Sequence, residues 1–169
     1  MADPLSATAS IIAVLQLSST VLRYLVDVKE ASGDRKSLIH EISSTCGILS
    51  TLNETVVDAR VSDESWSATI RLLKDPNGPL NVLTTTLQSL ETTLKDLALA
   101  TGIRKAVDSL RWPFKQSEVD KILRVIERQK STLSLALDNN HIALSQEIRN
   151  NTEAIRDEVV GLLQELAAA

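Results

Sequence analysis

Aromatic side chains are almost missing from this 169-residue chain: Tyr24, Trp66, Trp112 and Phe114 are the whole set. Any core must therefore be built from Leu, Ile, Val and Ala. Five glycines and four prolines are too few for the turns that many short strands need, so long helices are expected. Cysteine is nearly absent as well. Cys46 alone allows no internal disulfide and no thiolate zinc site. No secretory n-region opens the chain, so a cytoplasmic setting is expected. The Asn53-Glu54-Thr55 and Asn150-Asn151-Thr152 triplets then read as chance matches to a glycosylation site.

What is present fits one globular domain, with 43% hydrophobic and 24% charged residues. The net charge of −4 argues against nucleic acid as a partner, because phosphate affinity rests on Lys and Arg contacts. Its distribution is uneven. Residues 102–130 carry eight basic against four acidic side chains, whereas 131–169 carry two against six.

Asp3-Pro4 reads as an N-cap followed by proline at the first helical position. The nineteen residues from Pro4 to Leu22 hold no charge; eleven are apolar and seven are Ser, Thr or Gln. The helix is expected to end before Gly33. Its length and composition are marginal for a membrane span. Two readings stand side by side. Ser6 with Ser10 and Ala9 with Ala13 are small pairs that permit close helix approach in a bilayer. A helix at the centre of a soluble bundle, surrounded by neighbours, would also be apolar nearly all round.

A second helix, from about residue 34 to 57, places Ile39, Ile42, Cys46, Leu49 and Val56 on one stripe. A shorter one, around 65–74, carries Trp66, Ile70 and Leu73. Pro76-Asn77-Gly78-Pro79 ends it. The clearest periodicity follows: Leu80, Leu83, Leu87, Leu90, Leu94 and Leu97 in 3-4-3-4-3 spacing. Such a seam must be buried, and a bundle core explains it better than a zipper dimer lacking any polar a position. Thr101-Gly102 predicts a break. A short helix over Ile103–Leu110 is closed by Trp112-Pro113-Phe114. A long helical pattern then runs from Val119 through Ile126, Leu133, Leu144 and Ile155 to Leu166. Asp138-Asn139-Asn140 is its one candidate interruption. Residues 1–145 read as the bundle and 146–169 as a helical linker or stalk, with Ala167-Ala168-Ala169 an artificial remnant.

Catalytic machinery is hard to find. His40 and Cys46, six apart on one helix, face different ways, and Cys46 sits on the apolar stripe. No phosphate loop, His-Glu-x-x-His or Cys pair occurs. The chain is expected to be no enzyme, with no cofactor, metal or catalytic residue. The basic stretch Arg104, Lys105, Arg111, Lys115, Lys121, Arg124, Arg128 and Lys130 encloses Trp112 and Phe114. Arg104, Lys105, Arg111, Lys115 and Trp112 are candidate contacts to anionic lipid, each basic residue contributing about 1 kcal/mol near the surface. A purely structural account uses Trp-Pro-Phe as a hinge and pairs charges along the helix, as in Glu127–Lys130 and Asp120–Arg124.

Met1-Ala2-Asp3-Pro4-Leu5-Ser6 leads into Ala9-Ser10-Ile11. Gly78-Pro79-Leu80, Trp112-Pro113-Phe114, Ser134-Leu135-Ala136-Leu137 and His141-Ile142-Ala143-Leu144-Ser145 follow in order. Over about residues 1–150 the chain resembles the fungal N-terminal domain of STAND proteins, a HeLo-like family. The resemblance implies an all-α, four-helix-type bundle ahead of a NACHT or NB-ARC-type module and sensing repeats in a fungal NOD-like receptor. Such domains look similar to the bundle of mixed lineage kinase domain-like protein and act as cell-death executioners. They self-associate, and their N-terminal helix is thought to enter the plasma membrane on activation. Carried over by position, Leu5, Ala9, Ile12, Leu15, Val21 and Leu22 are the insertion residues. The family often carries glycines in this helix; here Ala13-Val14 and Ser18-Ser19 stand instead, and no Gly precedes Gly33. The alternative expectation is a non-lytic homotypic adaptor or autoinhibitory bundle that recruits partners.

Overall fold

The computed structural model describes residues 4–28, 32–58, 64–103 and 112–168; within its helices the side chains of residues 4, 58, 64–68, 100–103, 140–144, 147, 151 and 157–168 lie outside that description. The described residues form five helices and no strand: α1 Pro4–Asp27, α2 Gly33–Asp58, α3 Glu64–Lys74, α4 Pro79–Ile103 and α5 Gln116–Ala168. The protein is an all-α multi-helix bundle. The short helix expected over residues 103–110 lies, beyond Ile103 at the end of α4, outside the described residues.

The starts of α2, α4 and α5 follow from the sequence. The Ser32 hydroxyl accepts the Arg35 N–H at 3.2 Å and opens α2. Glu118 reaches back to accept the Lys115 N–H at 2.9 Å, half of a capping box at the start of α5. Proline fills the first position of α4, where no hydrogen-bond donor is required. Within α4 the threonines cost little. Thr84, Thr85, Thr86, Thr92 and Thr93 each donate to the carbonyl four residues back, at 2.8–3.0 Å.

Packing follows a four-then-three spacing on every long helix. Ala7, Ile11, Val14, Ser18, Val21 and Leu25 are buried on α1, and Leu38, Ile42, Thr45, Leu49, Leu52 and Val56 on α2. Leu80, Leu83, Leu87, Leu90 and Leu94 are buried on α4, and Val119, Ile126, Leu133 and Ala136 on α5. That repeat keeps one seam inward on helices crossing at about 20°. Helix α1 packs on α2 and α4, and α5 packs on the same two, so α1 and α5 occupy opposite corners. Helix α3 lies against α1, α4 and α5.

Three expectations change. The first helix is not the surrounded centre of the bundle: it rests on the leucine seam of α4, on α2 and on α3, and leaves one face exposed. Helix α4 runs one residue past Gly102, and α5 passes through Asp138-Asn139-Asn140 without interruption. Lys130 does not pair with Glu127: it crosses to Glu41 of α2 at 2.5 Å. Asp120 and Arg124 form no ion pair among the described residues.

The α3–α4 turn depends on its glycine. A Cβ at Gly78 would stand 2.4 Å from the Leu72 carbonyl oxygen and 2.9 Å from that of Asp75. Both are backbone atoms and cannot swing away. The Gly78 N–H donates to Asp75 O at 2.8 Å, and the Asn77 N–H donates to Asp75 Oδ1 at 2.8 Å. Gly78→Ala is therefore expected to lower the unfolding free energy by about 1–2 kcal/mol. Chemical denaturation checks it, with Gly47→Ala, which meets open space, as the comparison.

Candidate functional site

Helix α1 is the feature with functional content. Among the described residues it is the one helix long and apolar enough to cross a membrane, over Leu5–Asp27; a core helix of a soluble protein passes the same test. Its two faces differ. One is the buried seam. The other, one helical turn after another, exposes Leu5, Ala9, Ile12, Gln16, Ser19, Arg23 and Val26. Leu5 is 79% exposed and Ile12 41%. The helix is thus not enclosed by neighbours all round. It is a corner helix whose outer face is apolar toward its N-terminal end.

The six insertion candidates divide between those faces. Leu5, Ala9 and Ile12 are exposed, Leu15 and Leu22 are half-buried against the core, and Val21 is fully buried. Helix α1 is held by its seam and by its C-terminal end. There the Arg35 guanidinium donates to the carbonyls of Leu25 (3.3 Å) and Val28. Cationic donors suit this end, where carbonyls lack helical partners and the helix dipole is negative. Among the described residues no side-chain ion pair joins α1 to another helix.

The seam itself contains a polar layer. Ser18 is buried and hydrogen-bonded to Cys46 of α2. Burial pushes the Cys46 thiol up from its ordinary value, and the bond with Ser18 pulls it partly back. The thiol is held protonated at neutral pH, which suits a small core group.

The leucine seam is assembled as the spacing predicts for Leu80 through Leu94; Leu97 is half-buried near the end of α4. Of the lipid-contact candidates, Arg104, Lys105 and Arg111 lie outside the described residues. Lys115 is exposed. Trp112 is half-buried against the core and meets Phe114 edge-on, centroids 5.2 Å apart at 62°. Beyond residue 144, the described α5 side chains are exposed, Ile148 and Ile155 included. No group of three potential metal-ligating side chains occurs among the described residues.

Sequence reasoning did not foresee a groove of about 600 Å³ between the α3–α4 turn and α5. Its walls bring Asp75, Asn77 and Val82 opposite Arg124, Val125 and Arg128. The two sides are more than forty residues apart in the chain, so no local pattern could have announced it.

No family model, curated protein or solved structure matches the chain.

Proposed function

We propose that this chain is the membrane-directed, cell-death-inducing effector domain of a fungal NOD-like immune receptor. It acts by self-association and insertion of α1 into the plasma membrane. The motif resemblance motivates the reading, and one observation carries it: a helix uncharged from Pro4 to Leu22 docks through a single face with no ion pair among the described residues. At rest the domain is cytoplasmic, with α1 against α2 and α4. Clustering by a downstream NACHT or NB-ARC-type module and repeats raises local concentration and favours the released helix. Anionic lipid, met through the basic segment around Arg104, Lys105, Arg111, Lys115 and Trp112, draws the cluster to the bilayer.

Leakage of anionic liposomes by the clustered domain tests this. Ile12→Glu is the clean variant, because Ile12 is exposed and its replacement leaves the seam intact. Leu15→Glu also strikes the packed face. A carboxylate at the centre of an inserted helix costs roughly 2.5–3.5 kcal/mol. Ile12→Glu is therefore expected to cut leakage at least about tenfold, with thermal unfolding nearly unchanged. Equal leakage from both proteins sinks helix insertion.

A second reading, a non-lytic homotypic adaptor or autoinhibitory bundle, is favoured by Ile148 and Ile155, exposed one heptad apart on α5. Liposome cosedimentation separates the two, since an adaptor stays in the supernatant when clustered.

A further inference from the structure

We propose that the groove between the α3–α4 turn and α5 binds a phosphorylated small organic molecule through Arg124 and Arg128. The site owes nothing to α1 or to membrane insertion. Its volume, about 600 Å³, lies within the range of small-ligand sites.

Two guanidinium groups four residues apart on one helix repel each other, so their placement on the groove wall asks for an anion. Neither has one among the described residues. Arg124 and Arg128 make no ion pair among the described residues, although Glu127 sits beside both in the chain. The one carboxylate on the groove wall is that of Asp75, and its Oδ1 is engaged by the Asn77 N–H at 2.8 Å. Two cations against one partly engaged anion leave the groove with net positive charge.

The rest of the wall fixes the ligand class. Val82 and Val125 supply apolar surface beside the arginines, and the Asn77 side chain supplies an amide. Inorganic phosphate would use the arginines and leave the valines bare; an apolar molecule would leave the arginines unpaired. A phosphomonoester with a small apolar body uses both, because guanidinium forks match phosphate oxygens in pairs. Such a group arrives either on a soluble metabolite or as a phospholipid headgroup.

The test uses the full chain, with phenyl phosphate titrated by calorimetry and vesicles containing phosphatidic acid tested by cosedimentation. The variants are Arg124→Gln/Arg128→Gln, both at exposed positions, and Arg149→Gln on the distal part of α5 as the charge control. Saturable phenyl phosphate binding that weakens at least tenfold in the double variant, and not in the control, supports a soluble ligand. Vesicle binding lost in the double variant alone, without phenyl phosphate binding, supports a headgroup. Absence of both, or equal loss in the control, overturns the proposal. Leakage through α1 can fail while this binding holds, so the two readings fall separately.

Discussion

Replacing Leu90 by alanine is expected to lower the free energy of unfolding by about 3–4 kcal/mol. Leu90 is fully buried in the α4 seam. Three methyl or methylene groups are lost, each contributing about 0.8 kcal/mol of transfer free energy, and the remaining cavity adds to that sum. Two features keep the cavity open. Helix α4 is wedged between α1 and α5, so collapse toward one opens a gap at the other. Among the described residues the fully buried core is aliphatic, and the rings of Tyr24, Trp112 and Phe114 are only partly buried against it, so no enclosed ring is there to swing into the space. Leu97, half-buried at the end of the same stripe, is the internal comparison, and Leu97→Ala is expected to cost no more than about 1.5 kcal/mol. Urea unfolding reads both, provided the denaturant dependence is unchanged. Similar costs at the two positions would mean that the seam is not buried along α4 as described.

The helices themselves were legible because their signals are local. The uncharged run after Pro4, the leucine spacing from Leu80 and the Pro76–Pro79 punctuation each place an element to within a few residues of its observed bounds. What each helix touches was not legible in the same way. Apolar residues on α1 fall at seam and outer positions alike, so composition could not tell a surrounded helix from a corner one. Only the packing shows that Ala7 and Ile11 face inward while Ala9 and Ile12 face out. The partner of Lys130 illustrates the same limit. Glu127 stands at a favourable helical spacing, yet Lys130 crosses to Glu41, 89 positions earlier in the chain. The groove combines both difficulties, since its arginines acquire meaning only opposite the α3–α4 turn. Resemblance by motif supplied the fungal immune reading; the packing adds that, among the described residues, no side-chain ion pair joins α1 to its neighbours.

That asymmetry between α1 and the rest of the bundle leads to the second large effect. Lys130→Met is expected to destabilise the fold by about 2–4 kcal/mol, although it removes only one surface-reaching side chain. The Lys130 and Glu41 side chains are 23% and 14% exposed, and their 2.5 Å contact ties α5 to α2. Removing the ammonium leaves Glu41 partly buried without its counter-charge, and that stranded carboxylate, more than the lost attraction, sets the cost. The double variant Glu41→Leu/Lys130→Met removes the stranded charge as well and is expected to recover most of the loss. A double-mutant cycle by urea unfolding measures the coupling. Repeating it in high salt distinguishes this pair from a surface pair such as Arg149–Glu153 on α5, whose contribution is largely screened. If the double variant is as unstable as Lys130→Met, the charge pair is not the origin of the cost. A strong coupling would mean that α2 and α5 are pinned by charge while α1 is held by its apolar seam, the Ser18–Cys46 bond and one arginine at its end. Loss of α1 from the bundle would then leave the α2–α5 contact in place, which is the arrangement a releasable first helix requires.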